Sequence, residues 1–292
     1  RSYAATFNFV SGDVDGGATP TSFVVKKYDS GTWTSPTTSS ALATSTTATG
    51  MTSFSDFAIG EVQTYTVTFD ANGGTGSMSN QTANYNTPTP LTLNSFTRTG
   101  YTFTGWNTAA NGSGTSYADG ANYGFTADVT LYAQWSINQY TVTFDANGGT
   151  GSMSNQTANY NTPTPLTLNS FTRTGYTFTG WNTAANGSGT SYADGANYDF
   201  TANITLYAQW TINQYTVTFN ANGGTGSMSN QSANYNTPTA LTLNSFTRTG
   251  YTFTGWNTEA NGSGTSYADG ATYNFTASIT LYAQWTINQY TL

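Results

Sequence analysis

Residues 65–74 read YTVTFDANGG; the same ten residues return at 140–149 and, with one change, at 215–224. Tyr65, Val67 and Phe69 alternate with Thr66, Thr68 and Asp70, the period-two pattern of a strand with one buried face. Asn-Gly-Gly follows with residues that tolerate positive φ, so the strand should end in a tight turn. Working outward, Tyr65, Tyr140, Tyr215 and Tyr290 open equivalent units 75 residues apart, and repetition overrides other readings of the chain. The units are 65–139, 140–214 and 215–289, with 290–292 reading as the start of a further one. The first two units differ only where Gly124, Asp128, Val129 and Ser136 become Asp199, Asn203, Ile204 and Thr211.

Two more strands are expected in each unit. YTFTGW places Tyr101, Phe103 and Gly105 on one face and Thr102, Thr104 and Trp106 on the other. VTLYAQW does the same with Val129, Leu131, Ala133 and Trp135 inward. Between the first two strands, SNQTANYNTPTPLTL reads as one or two shorter strands, kept to an edge by Pro88 and Pro90, with a single helical turn near 91–95. WSINQY and WTINQY leave about four residues between units, so a series of small domains arranged as a rod on the order of 100 Å long is expected. Residues 1–61 lack the period. Their strand-like runs ATFNFV, TSFVVKKYDSGTWT and TSTTATGMTSFSDFAIGE read as the closing part of a β-sandwich. The fold class is mainly β.

Composition closes several function classes. Charged residues make up 7% of the 292, the net charge is −7, and no basic run exists to neutralise a phosphate backbone, which argues against nucleic acid as a partner. The chain has no Cys and no His, so a thiolate nucleophile, the commonest general base and the commonest zinc ligand are absent; no cofactor and no metal are expected. No run approaches the roughly 18 apolar residues of a membrane span, and no signal peptide opens the sequence. Both ends read as cut from a longer chain.

DANGGTG resembles a calcium loop in the spacing of Asp70 and Asn72, but the third copy carries Asn220 in place of the acid, so a turn is the better reading. Asp119, Asp194 and Asp269 are the acids common to all three units, and none has a second acid at a repeated position, as glycoside hydrolysis would require. They read as Asp-Gly turns. Arg98, Arg173 and Arg248 are the only cations of the repeats and could clamp a carboxylate or sugar, or pair with the Asp of their own unit. Without lysine, the repeats cannot form internal isopeptide bonds. Trp106, Trp181 and Trp256 with Tyr117, Tyr192 and Tyr267 are the candidate ligand contacts, as a sugar-stacking platform. Against this, a 75-residue domain poor in aliphatics needs its tryptophans for its own core, while the tyrosines are more open.

YTVTFDANGGTG, GYTFTGW and LYAQW, in register three times, resemble the Listeria-Bacteroides repeat of internalin-type surface proteins. The resemblance implies a small β-grasp-like domain used in tandem on secreted and cell-surface bacterial proteins, as spacer or adhesive module, with no catalytic residues to transfer. YDSGTWT and TGMTSFSDFAIGE are similar to a sandwich domain of Bacteroidetes-type secreted proteins, often exported by the type IX system. The expected function is therefore a non-enzymatic extracellular stalk or adhesin segment, meeting glycans, proteins or neighbouring copies of itself, with export machinery in transit. The alternative is a multivalent glycan-binding array.

Overall fold

The computed structural model describes residues 1–53 and 56–289; the expected start of a further repeat at 290–292 lies outside them. In the first repeat the alternation becomes strand Thr64–Asp70, with Val67 and Phe69 turned into the core. The last strand, Val129–Ile137, lies parallel to it, pairing Val129 with Val67 and Leu131 with Phe69. On its other edge that last strand runs antiparallel to Tyr101–Asn107. Gln81–Asn84 and Ser116–Tyr117 complete the two edges of a five-stranded sheet. The unit therefore closes on itself, its first and last strands side by side at the sheet centre.

The middle strand corrects the sequence reading. Its register slips between Phe103 and Gly105, where one extra residue bulges out. Beyond the bulge the parity of the strand is reversed, so Trp106 joins Phe103 on the buried face instead of facing outward with Thr102. Gly105 adopts φ 140, and a Cβ there would lie 2.8 Å from the Tyr117 carbonyl oxygen. Glycine fits this position because both its dihedral and its neighbour exclude a side chain.

Trp106 is fully buried, with ring centroids of Phe69, Phe103 and Phe96 at 4.8, 5.1 and 6.2 Å. Leu91, Phe96 and Phe125 reach the same cluster from loops. The helical turn expected at 91–95 does not form. Instead Thr89–Pro90 pairs with Asn122–Tyr123, and the Gln81 carboxamide holds the segment after it, accepting from Thr92 N at 2.8 Å and donating to Pro90 O at 2.8 Å. No repeat contains a helix among the described residues; residues of these loops pack into the core cluster of the sheet. Truncating such a central ring to Ala costs about 3–5 kcal/mol.

Repeats two and three build the same sheet, with Gln139–Asp145 beside Ile204–Ile212 and Gln214–Asn220 beside Ile279–Ile287. The chain divides into two compact units, Arg1–Asn138 and Gln139–Leu292. In the first, residues 1–61 form two three-stranded sheets. One orders Tyr3–Asn8, Ser45–Met51 and Thr37–Leu42; the other orders Thr32–Thr34, Phe23–Asp29 and Asp56–Glu61. Val25, Ala48 and Met51 form their small shared core. Lys27, nearly buried, pairs with Asp29 at 2.7 Å, holding that carboxyl below its ordinary range. No helix of the described residues is long and apolar enough to cross a membrane.

Candidate functional site

The glycine bulge opens a shallow cleft on the sheet. In the second repeat it has a volume of about 310 Å³ between Gly180, Trp181, Tyr192 and Gln209; in the third, Gly255, Trp256, Tyr267 and Gln284 bound one of the same size. The fold thus brings together the residue types singled out from sequence, because Trp181 pairs directly with Tyr192 across adjacent strands. It does not make them a stacking platform. Trp106, Trp181 and Trp256 are at most 1% exposed, and their indole N–H groups donate to the exposed Asp119, Asp194 and Asp269 at 3.3, 3.2 and 3.4 Å. The bulge has turned their faces into the core, and the expected ligand contact by these rings is corrected accordingly.

Tyr117, Tyr192 and Tyr267 are half-buried, and among the described residues their hydroxyls have no hydrogen-bond partner. Each meets a second tyrosine edge-on, Tyr192 with Tyr198 at 5.9 Å and an interplanar angle of 89°, so the two rings offer no common plane to a sugar. Burial, then the neighbouring Tyr198 and Asp199, pushes the Tyr192 phenol above its ordinary pKa; burial and Tyr273 do the same at Tyr267. Tyr123 is the raised member of the pair in the first repeat, by burial and then Tyr117 and Asp128.

The turn phrase is an internal latch. Asn72 and Gly73 take φ 46 and 85, and Gly74 N donates to Ala71 O at 2.9 Å, closing a turn with positive φ at both central residues. The Asn72 carboxamide then donates to Ala110 O and Ala133 O, both at 2.8 Å, tying the turn to a distant loop and to the last strand. Trp135 Nε1 donates to Ala71 O at 2.9 Å from beneath. Asp119 accepts from Asn94 N at 3.0 Å in addition to its tryptophan. Arg98 does not pair with it, but lies 4.0 Å over the ring of Tyr101, an arrangement repeated by Arg173 on Tyr176 and Arg248 on Tyr251. Among the described residues the one ion pair is Lys27–Asp29.

Sequence reading missed Asn107, Asn182 and Asn257. Each is 1% exposed and organises the loop that follows it. Asn182 Nδ2 donates to Gly187 O, Gly189 O and Ser191 Oγ at 3.2, 3.2 and 2.9 Å, while Oδ1 accepts from Ala184 N and Gly189 N at 2.8 and 3.0 Å. The signal was an Asn closing a strand before a Gly/Ser-rich loop, where its side chain caps backbone groups.

At two positions where the copies differ, the hydrogen bond survives and the charge does not. Asp128, Asn203 and Ser278 each accept from the backbone N–H of Thr66, Thr141 or Thr216, at 2.8, 2.8 and 3.1 Å. Asp70, Asp145 and Asn220 each accept from the N–H two residues on, at 2.7, 2.7 and 2.8 Å. The first position of the supposed calcium loop is a turn cap for which an amide serves as well as an acid.

Comparison with known proteins places this geometry in a family. A protein of Evansella cellulosilytica, named as a Gly-rich membrane protein, is 41% identical over 212 residues, covering 67% of this chain and 23% of its own length. A second protein of that organism, named as a membrane protein, is 34% identical over 248 residues, covering 78% of this chain and 34% of its own. Internalin H of Listeria monocytogenes is 41% identical over 125 residues, 40% of this chain and 20% of its own. The chain thus spans from 20% to 34% of the length of these relatives. The Listeria-Bacteroides repeat domain matches at 65–134, 140–209 and 215–284, each match opening on the tyrosine of a closed sheet unit, and the chain belongs to that family.

Proposed function

We propose that this chain is a non-enzymatic tandem-repeat segment of a bacterial surface protein, a spacer of self-contained β units. The observation that carries the reading is the pattern of variation among the three copies. At two positions that cap a backbone N–H, acid is replaced by amide or hydroxyl from copy to copy, so those positions serve folding and not a charge-dependent reaction or metal. The buried tryptophans and the arginines laid on tyrosines point the same way. Relatives named as membrane proteins and an internalin support location at a bacterial surface. Within the same reading, the repeat is a β-grasp-like sheet with loops in place of the helix. Residues 1–61 are part of a sandwich of the Bacteroidetes secreted type, exported by the type IX route.

One observation favours a second reading, glycan binding: a cleft of about 310 Å³ beside an unbonded tyrosine hydroxyl recurs in two repeats. Titration of the intact chain with neutral oligosaccharides, followed by calorimetry, separates the two. The spacer reading expects no saturable heat. Saturable binding that the triple variant Tyr117→Phe, Tyr192→Phe, Tyr267→Phe abolishes would replace it with the glycan array. Intrinsic fluorescence serves this purpose only in a Trp33→Phe background, because Trp33 in the leading segment is 51% exposed and dominates quenching.

A further inference from the structure

The second and third repeats are joined by more than a short linker. Asn213 stands between them. Its N–H donates to Gly175 O at 2.9 Å, its side-chain oxygen accepts from Thr177 Oγ1 at 2.7 Å, and its own carbonyl accepts from Tyr235 N at 2.8 Å. The ring of Tyr235 lies flat against Gly175, so close that a methyl group on Gly175 would overlap it. Gly175 ends the turn that opens with Arg173, whose carbonyl accepts from Tyr176 N at 3.0 Å, and takes φ 78. The turn therefore presents bare backbone to the neighbouring repeat, and the neighbour covers it with an aromatic face.

We propose that Gly175 and Asn213 form a notch that recognises the tyrosine of the following repeat, and that every repeat carries both halves of this lock. The notch is preformed in the third repeat. Asn288 N donates to Gly250 O at 2.8 Å, Thr252 Oγ1 donates to Asn288 Oδ1 at 2.7 Å, and the space a Cβ would fill at Gly250 holds no atom within 4 Å. Its fitting partner is the tyrosine edge of another repeat of this sequence joined in tandem. The plug is equally preformed in the first repeat: Tyr85 N donates to Gln63 O at 2.7 Å, as Tyr235 N does to Asn213 O, and with no glycine notch beside it Tyr85 stays 56% exposed. Tyr235 packs against Tyr215 of its own repeat as Tyr85 does against Tyr65, so its greater burial comes from the notch. The lock holds whatever the chain binds, so it does not rest on the spacer reading.

Residue-resolved amide exchange on the intact chain tests it. Tyr235→Ala is expected to speed exchange at Asn213 by about ten-fold, because opening of the joint then loses its apolar cover, while Tyr235→Phe stays within about two-fold. Tyr85→Ala should leave Asn213 unchanged. Extending the chain after Gln289 with a further copy of 215–289 should slow exchange at Asn288 by a similar factor. Unchanged exchange in Tyr235→Ala, equal loss in Tyr235→Phe, or no protection of Asn288 in the extended chain would each overturn the proposal.

Discussion

Replacing Asn182 with alanine removes five hydrogen-bond contacts from one side chain: three that it donates and two that it accepts. The two Nδ2 hydrogens are shared among three acceptors, so four full bonds are lost, about 4 kcal/mol at about 1 kcal/mol each, net, if none is replaced. Gly187 and Gly189 are exposed, so their carbonyls regain water as the loop loosens. The Ala184 N–H and the buried face left by the side chain do not, which brings the expected cost to about 2–4 kcal/mol. In a unit of this size, each kcal/mol lowers the midpoint by about 4–8 °C. Calorimetry of the intact chain should therefore show part of the unfolding heat moving at least about 8 °C lower. Asn182→Asp separates shape from chemistry. It keeps the size and the two accepted bonds but turns a carboxylate oxygen toward two carbonyl oxygens, and should cost about as much as alanine. If either variant melts within about 2 °C of the parent, the loop is held by something other than Asn182 and the reasoning fails.

Gly180→Ala should destabilise by about 2–3 kcal/mol, since φ 143 is closed to alanine and its Cβ would meet the Tyr192 carbonyl at 2.9 Å; a denaturant midpoint unchanged from the parent would contradict the bulge. Asp145→Asn should change stability by less than about 0.5 kcal/mol, because Asn220 already makes the same cap, and neither parent nor variant should gain thermal stability from millimolar calcium. The raised phenols of Tyr123, Tyr192 and Tyr267 bear on alkaline stability. Above the ordinary tyrosine value of 10.0 the unfolded chain releases these protons before the folded one does, so the folded state loses stability as pH rises from there toward the folded values. Denaturant titrations from pH 9 upward should show the midpoint falling, and Tyr192→Phe should flatten the fall.

Strands were legible wherever alternation ran unbroken. Val67 and Phe69 in Thr64–Asp70, and Leu131 and Ala133 in Val129–Ile137, are buried as their spacing implies. The middle strand was misread after Phe103 because alternation assumes one residue per step, and a bulge inserts a residue without leaving its mark on polarity. Gly105 within a strand was the available hint. The parallel pairing of the first strand with the last was not legible either, since neither turn chemistry nor linker length constrains partners some 60 residues apart. At the cleft, residue identities were found but their use was not. Tryptophan on a supposed outer face suggested a platform, whereas the reversed parity made it the core. Asn107, Asn182 and Asn257 look like ordinary loop residues until the backbone groups around them are in place.

The parallel pairing of each unit's first and last strands has a consequence for inheritance. A domain whose first and last strands pair at the centre of its own sheet owes no strand to its neighbours. Crossing-over between two near-identical copies at matching positions removes or adds a whole 75-residue unit, and the recombinant domain inherits a front half and a back half that already fit. Gly175 and Tyr235 lie at fixed places within that period, so the contact between the second and third repeats is inherited along with the domains. The number of repeats therefore becomes a quantity that gene rearrangement changes in steps, with no new sheet to be found at each one.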